Sequence, residues 1–414
     1  MFPLQIYDRR ERALVAAADR VFAAGAAIAS PFRARHAPAA PRRILLLRLE
    51  RIGDLLMALP AIADLRMQAP DAVVDLVVGS WNADLARALP AVTNVLTLDP
   101  SWLARENSGA ALPSLLRTAR RWRARAYDLA INFEPDVRSN LLLAVSGAAW
   151  TAGYRSGGGG ALLDVALDYD PRAHTTDNAR RLVARALRAP IRSGRDRAAA
   201  ITIPTDAHTR ARQLLGPADS AAAIAATETR PGRRAPLIGV HVSGGRAVKQ
   251  WEPERFGEVA RRLIAARGAT IVLTGSADDR ALVDRVSRML PPQHTIDVAG
   301  HLDLLTLAAV LGRLDLLITG DTGPMHLAAA VETPIVAVFG PSDPVRYAPR
   351  GALDRIVRVD LPCSPCNRIR LPPARCVGHT PDCLTAVSAD SVFNAAAAVL
   401  EELDRRVPAD TPAG

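Results

Sequence analysis

Short apolar runs, each ended by a polar or glycine-containing turn and followed by residues at helical spacing, recur along two stretches of this sequence. The first stretch holds RILLLRL (43–49), VVDLVVG (73–79), VTNVLTL (92–98) and DLAINF (128–133). The second holds PLIGVHV (236–242), ATIVLTG (269–275), HTIDVAG (294–300), DLLITG (315–320) and PIVAVFG (334–340). Strands buried on both faces of a parallel sheet need runs of this kind. Two such arrays predict two doubly wound α/β domains facing a cleft, with the loops after the strands turned toward it. Helices are expected at 54–66, kinked at Pro60, and at 253–267, 277–290, 303–313, 323–331 and 388–404. A chain of 414 residues is long enough for each domain to bury its own core.

The expected boundaries are 1–40, 41–190, 191–235, 236–390 and 391–414. Residues 1–40 read as an appendage. Leu14, Val15, Ala18, Val21 and Phe22 recur at helical spacing among Arg9, Arg10, Arg12 and Arg20. Gly25 weakens that helix and Pro31 breaks it. Docking on the main body is the simpler role for it, and a basic amphipathic foot on an anionic membrane is the other. The first α/β domain covers 41–190. Within it, the arginines of 117–125 form a solvated helix face and SGGGG (156–160) a flexible loop. Region 191–235 carries little pattern and is expected as linker and hinge. The second α/β domain covers 236–390, and 391–414 form a C-terminal helix and tail.

Fifty-two basic against 42 acidic residues leave a formal charge of +10, which suits nucleic acid, anionic lipid or phosphorylated metabolites alike. The arginines are dispersed and no nucleic-acid-binding motif accompanies them, so nucleic acid is not an expected partner. No apolar run approaches the roughly 18 residues of a spanning helix. Asp8 and Glu11 stand where a signal peptide would be basic and then apolar. The expected location is the cytoplasm, with a peripheral contact at the inner membrane as an option. Of the 52 basic residues only Lys249 is a lysine. A lone lysine in an arginine-rich chain is either a chance survivor of that composition or the mark of a place where a compact ammonium suits better than a planar guanidinium.

Four loops place polar residues directly after apolar strands, where open α/β sheets bind ligands. In LERIGDLL (49–56), Asp54 is either a first-turn aspartate offsetting orphan backbone N–H groups or a carboxylate that accepts a proton from a substrate hydroxyl. In HVSGGRAVKQWEPERF (241–256), Ser243, Gly244 and Gly245 form a small-residue loop suited to an anion, with Lys249 within reach. In LLITGDTGPMHLAAA (316–330), a strand ends at Thr319, and Asp321, Thr322, Gly323 and Pro324 open a helix carrying His326. Asp321 or Thr322 can cap that helix, and its amides can seat a pyrophosphate. FGPSDPVRYAP (339–349) is a turn expected to line the same pocket. Neither a P-loop nor a G-x-G-x-x-G fingerprint is present.

These blocks, with ILLLRLERIGDLLMALPAIADLR and HTTDNARRL (174–182), resemble glycosyltransferase family 9, the bacterial ADP-heptose:lipopolysaccharide heptosyltransferases and their relatives. The resemblance covers roughly 42–390. It implies a GT-B fold of two Rossmann-like domains, with the nucleotide sugar held mainly by the C-terminal one, and a metal-independent inverting enzyme. By the same resemblance Asp54 corresponds to the catalytic base, Lys249 and Ser243 to residues meeting the donor phosphates, and Asp321 to the aspartate near the donor sugar. Thr322 and Gly323 correspond to the amides under the diphosphate, with Gly244, Pro324 and His326 beside them. His174 and Asn178 match a short motif near the acceptor cleft. Ser243-Gly244-Gly245 departs from the commonest pattern, which leaves the donor sugar and the nucleotide base open.

All four cysteines, Cys363, Cys366, Cys376 and Cys383, fall in one short segment. A cytoplasmic chain keeps them reduced, and a tetrathiolate zinc or iron site is the expected use, with His379 as a substitute ligand. Some protein-modifying relatives carry an iron-bound four-cysteine finger that this cluster resembles. The metal would be structural, with no cofactor for catalysis. The expected function is transfer of a heptose from an ADP-heptose-like donor to a glycan or glycolipid acceptor such as lipopolysaccharide core. A protein acceptor, or another GT-B activity such as nucleotide-sugar epimerisation, is the alternative.

Overall fold

The computed structural model describes residues 4–6, 8–29, 37–103, 109–191, 201–216 and 235–406. The chain divides into two compact units, Met1–Thr202 and Ile203–Gly414.

The first unit is built on a six-stranded sheet: β1 (Arg43–Arg48), β2 (Val73–Val78), β3 (Asn94–Thr97), β4 (Leu129–Asn132), β5 (Trp150–Tyr154) and β6 (Val165–Leu167). Its order is β3-β2-β1-β4-β5-β6 with every pair parallel, so the doubly wound expectation holds. Strand order reverses between β1 and β4, and the loops after these two strands border the crevice where such sheets bind ligands. Leu45, Leu47, Val77 and Ala130 pack with Leu115, Trp122 and Leu142 in a core on one face. The helix Ile52–Gln68 follows β1 and runs on through Pro60.

Residues missed by the sequence pattern extend this sheet. β5 and β6 were not expected, and SGGGG is packed where a flexible loop was predicted. Residues 156–159 are buried, and the Asn140 amide donates to the Gly158 carbonyl at 2.8 Å. The helix Arg9–Ala29 lies against this turn, with Val15 beside Gly158 and the Asp19 carboxylate accepting the Gly159 N–H. Arg117, Arg120, Arg121, Arg123 and Arg125 are exposed, as a solvated helix face requires.

The second unit repeats the plan with β7 (Leu237–His241), β8 (Thr270–Thr274), β9 (Thr295–Asp297), β10 (Leu316–Gly320), β11 (Ile335–Val338) and β12 (Arg355–Val357). The order is β12-β11-β10-β7-β8-β9, again parallel, with the reversal between β7 and β10. The stretch 191–235, expected as linker, contains the helix Thr205–Leu215; positions 192–200 and 217–234 lie outside the described residues. The C-terminal helix Ala389–Arg406 inserts Val392, Ala396, Val399 and Leu400 into the same core as Ile238, Phe256 and Ile318. Trp251 anchors the loop after β7 in that core, edge-on to Phe256 at 4.6 Å and donating its indole N–H to the Val387 carbonyl.

Candidate functional site

The crevice of the first unit is organised around a buried arginine. Arg48 closes β1 at 3% exposure. Its guanidinium donates to the Phe133 carbonyl at 2.8 Å and the Asp54 carbonyl at 3.0 Å. It also lies 3.4 Å from the Asp54 carboxylate and 3.2 Å from that of Glu50. Burial alone would lower its pKa, but Glu50, Asp54 and Glu134 outweigh this and hold it above the ordinary arginine value. Asp54 occupies the third position of its helix, and its second carboxylate oxygen accepts the Arg51 N–H at 3.2 Å. The capping role is therefore real, while the side chain keeps 30% exposure.

Glu134, two residues past the end of β4, is 2% exposed. Its carboxylate accepts the N–H groups of Leu49 and Glu50 and the Ser139 hydroxyl. Burial raises its pKa, against the lowering effect of Arg48 and Ser139. One carboxylate from β4 thus fixes the backbone that leads from β1 to Asp54. The Trp81 indole and the Asn82 amide both donate to the Glu50 carbonyl at 2.9 Å. Arg51 stacks over Trp81 at 5.4 Å, and Arg138 over Trp102 at 4.6 Å. Arg48, Glu134 and Trp81 were not singled out from the sequence. A charge closing an apolar run and another following one directly were the available signs.

His174 and Asn178 lie in the same unit in fastening roles. His174 is the N-cap of the helix Thr175–Ala186, its ring nitrogen accepting the Thr176 N–H at 3.2 Å. Asn178, 1% exposed, accepts the Asp170 N–H at 2.9 Å and donates to the Asp170 carbonyl at 2.8 Å. Thr176 donates to the Met57 carbonyl, tying this helix to the one that carries Asp54.

In the second unit the loops after β7 and β10 bring their polar residues together. Lys249 ends a short turn, Ala247–Lys249, with its ammonium 3.1 Å from an Asp321 carboxylate oxygen while also donating to the Asp321 carbonyl. Asp321 is 9% exposed, with His326 at 4.0 Å from its other oxygen. Burial would raise the Asp321 carboxyl, but Lys249, His326 and the Ser342 hydroxyl overcome this and hold it below the usual carboxylate value.

Gly244 is required by close approach: a Cβ there would stand 2.6 Å from the Lys249 carbonyl carbon and oxygen. Its N–H donates to the Gln250 side chain, whose amide donates to the Val242 and Trp251 carbonyls, closing the loop on itself. Ser243 accepts the Gly245 N–H at 3.2 Å, and its hydroxyl is among the groups that hold the Asp279 carboxyl below the usual carboxylate value.

Thr322 stands at the N-cap of Gly323–Ala330 with Pro324 in the first turn. Its hydroxyl meets that of Thr319 at 3.2 Å, and no side chain among the described residues caps the helix, where Asp321 or Thr322 was expected to do so. Ser342, from the turn after β11, completes the cluster at 2% exposure. An uncapped helix start beside an ammonium is chemically suited to an anion.

The four thiols sit at unequal depth. Cys383 is buried, while Cys363, Cys366 and Cys376 are partly exposed. Burial pushes the Cys383 thiol up to about 11, and Cys366, Cys363 and Cys376 add to that effect. Thiolates in this number suit zinc or iron. Their placement does not: among the described residues no group of three or more His, Cys, Asp or Glu side chains is arranged to hold a metal ion. The expected tetrathiolate is not assembled, although the other three thiols lie near enough to Cys383 to act on its charge.

A family model for glycosyltransferase family 9 (heptosyltransferase) matches residues 115–373. Lipopolysaccharide heptosyltransferase 1 of Pseudomonas aeruginosa is 28% identical over 335 residues, covering 78% of this chain and 86% of its own. Lipopolysaccharide heptosyltransferase 2 of Salmonella typhimurium is 23% identical over 322 residues, covering 77% and 88%. Among solved structures, E. coli heptosyltransferase WaaC with ADP-2-deoxy-2-fluoro heptose matches with a TM-score of 0.61 at 20% identity, over 87% of this chain and 99% of that one. The two parallel sheets are those of the GT-B fold. With its family model spanning more than half its length, the chain belongs to glycosyltransferase family 9 and is a heptosyltransferase-like glycosyltransferase.

Proposed function

We propose that this glycosyltransferase moves a heptose from ADP-heptose to a glycan acceptor of the lipopolysaccharide core, with inversion and without a catalytic metal. The observation that carries this reading is the sole lysine reaching the uncapped helix start at 321–323. The relatives named as lipopolysaccharide heptosyltransferases support the sugar and the acceptor.

In this mechanism the donor diphosphate lies against Lys249 and the first-turn amides of Gly323–Ala330, with Ser243 and Gly244 on its other side. Departure of the nucleoside diphosphate builds negative charge there. A fixed ammonium and a helix start stabilise that charge more in the transition state than in the ground state. Asp321 holds the lysine ammonium in place. Asp54 takes the proton from the acceptor hydroxyl as that oxygen attacks the anomeric carbon from the face opposite the leaving group. Its two hydrogen-bonded partners fix the carboxylate without covering it. Trp81 and Trp102, each under an arginine, give apolar faces with flanking positive charge, a surface suited to an anionic sugar.

We place the enzyme in the cytoplasm, at the cytoplasmic face of the inner membrane. No helix of the described residues is long and apolar enough to cross a membrane. The helix Arg9–Ala29 leaves Leu14 at 73% and Val21 at 70% exposure beside Arg10 and Arg20, a composition suited to an anionic lipid surface. The cysteine segment is proposed to close on a structural zinc or iron ion, which requires its thiols to draw together. A protein acceptor is the second reading, favoured by that segment alone.

The test is calorimetry with ADP, UDP and GDP, followed by transfer from ADP-heptose to heptose-deficient lipopolysaccharide. Selective ADP binding, weakened in Lys249→Ala, and transfer to the glycan are expected. Equal binding of all three nucleotides by wild type and Lys249→Ala would overturn the reading.

A further inference from the structure

The residue after the lone lysine commits its whole side-chain amide to the loop that follows β7. The Gln250 side-chain oxygen accepts the Gly244 N–H at 2.7 Å. Its nitrogen donates to the Val242 carbonyl at 2.8 Å and to the Trp251 carbonyl at 2.6 Å. The Gly244 N–H can only donate and the two carbonyls can only accept, so one orientation of the amide satisfies all three. Val242 and Gly244 flank Ser243, which is thereby held from both sides. Trp251 is 1% exposed and its indole N–H bonds to the Val387 carbonyl, so the third bond runs to a fixed point in the core.

The Lys249 main chain lies inside this clasp. A Cβ on Gly244 would stand 2.6 Å from the Lys249 carbonyl and 2.7 Å from the Gln250 nitrogen. A Cβ on Gly320 would lie 3.8 Å from the same Lys249 carbonyl oxygen. The peptide between Lys249 and Gln250 therefore packs on the loop after β7 and reaches the end of β10, one residue before Asp321. Packing alone resists closer approach but not sliding along the loop, and the Gln250 bonds supply that restraint. At the far end of the lysine side chain the ammonium meets the Asp321 carboxylate at 3.1 Å.

We propose that Gln250 is a positioning residue for glycosyl transfer. By tying Val242, Gly244 and Trp251 together it fixes where the Lys249 backbone stands, and so where the ammonium can reach. The inference rests on the reading of Lys249 as the group that meets the donor diphosphate. Gln250 itself touches none of the reacting groups. Its effect is geometric, and small displacements of a charged group at a reacting centre have large consequences for rate. The same clasp occupies the Gly244 N–H, and the Gly245 N–H turns to Ser243. This loop therefore offers the diphosphate the Ser243 hydroxyl rather than a glycine amide.

Two substitutions separate the bonds from the space they fill. Gln250→Met keeps length and volume with neither strong donor nor acceptor, and Gln250→Ala empties the position. Both should weaken ADP affinity about five- to tenfold in calorimetry, as the loss of positioning hydrogen bonds implies. The donor KM should rise in step while the acceptor KM stays near wild type. Because Gln250 acts through Lys249, the two positions should be coupled. In a Lys249→Ala background, Gln250→Met should change ADP affinity by less than about twofold.

If wild type binds no ADP, or Lys249→Ala binds it normally, the donor reading falls and the inference with it. If Lys249→Ala weakens ADP binding while Gln250→Met does not, only the role of Gln250 is overturned. Equal weakening by Gln250→Met in both backgrounds would also overturn it, because a general loosening of the fold does not depend on Lys249. So would an acceptor KM that rises together with the donor KM.

Discussion

Arg48, buried at the end of β1, lies 3.4 Å from the Asp54 carboxylate on the first turn of the following helix. The same guanidinium binds the Asp54 carbonyl and Phe133, so the proposed base is tied to the strand before it and the strand beside it. Asp54→Asn keeps an acceptor for the Arg51 N–H and removes the base. Turnover should fall at least about 10²-fold, with ADP affinity within about twofold of wild type. Single-turnover rates and calorimetry on the same preparation check this. Wild-type turnover would leave Asp54 only its capping role.

Arg48→Met addresses the same cluster through stability. It leaves Glu50, Glu134 and Asp54 without their shared cation at a buried site, a loss of about 3–5 kcal/mol for breaking such a set. Denaturant unfolding followed by tryptophan fluorescence should show it. A change below about 1 kcal/mol would mean that the carboxylates find solvent or protonate at little cost.

Lys249 offers a sharper comparison, because arginine is used at every other basic position in the chain. Lys249→Ala should reduce the transfer rate on the order of 10²-fold or more. Lys249→Arg should recover only part, since a planar fork must fit beside Asp321 and below the Gly244 loop, where an ammonium now stands. Steady-state rates at saturating acceptor decide it. Full activity in Lys249→Arg would make the lone lysine an accident of composition.

The sequence exposed the parts of this molecule whose meaning is local. β1, β2, β7, β8 and β10 carry long apolar runs because both faces are covered, and each was found. β6 and β12 are three-residue strands at sheet edges with half-buried side chains, so no apolar run marks them. The helix Thr205–Leu215 escaped because its buried face is only Ala207, Ala211 and Leu215 among polar residues. Asp54, Lys249 and Asp321 stood out as charges just past strand ends. What could not be read was their company. Glu134 binds Leu49 across 85 positions, and Lys249 meets Asp321 across 72. The cysteine spacing suggested a shared centre; what spacing does not encode is depth in the fold, which leaves Cys383 buried and the other three partly exposed.

Metal content tests the cysteine segment directly. Protein purified without chelator should contain close to one zinc or iron ion per chain, absent from a Cys363→Ser/Cys366→Ser double variant. Thiolate ligation couples binding to local folding, so removal of the ion should loosen 361–385, seen as faster amide exchange there, before other regions change. Metal near zero with four freely titrating thiols would leave the arrangement described above as the working one.

Acid sensitivity of the second unit should trace to His241. This imidazole ends β7, 6% exposed, with a ring nitrogen 3.1 Å from the Thr274 hydroxyl. Burial lowers its pKa from 6.5 to about 4, and Asp279 offsets little of that. Above pH 6.5 the ring is neutral in both folded and unfolded chains and contributes nothing to the pH dependence. Between pH 6.5 and about 4 the unfolded chain takes up a proton that the folded one refuses, so stability falls as pH falls. The loss reaches about 3 kcal/mol near pH 4 and then levels off, because the folded state begins to protonate as well. A neutral His241→Gln side chain can still meet Thr274 and has no proton to gain. Its unfolding free energy should therefore decline less steeply than that of wild type across this window, whatever its value at pH 7. Parallel slopes for the two proteins between pH 6.5 and 4.5 would assign the acid sensitivity to other groups.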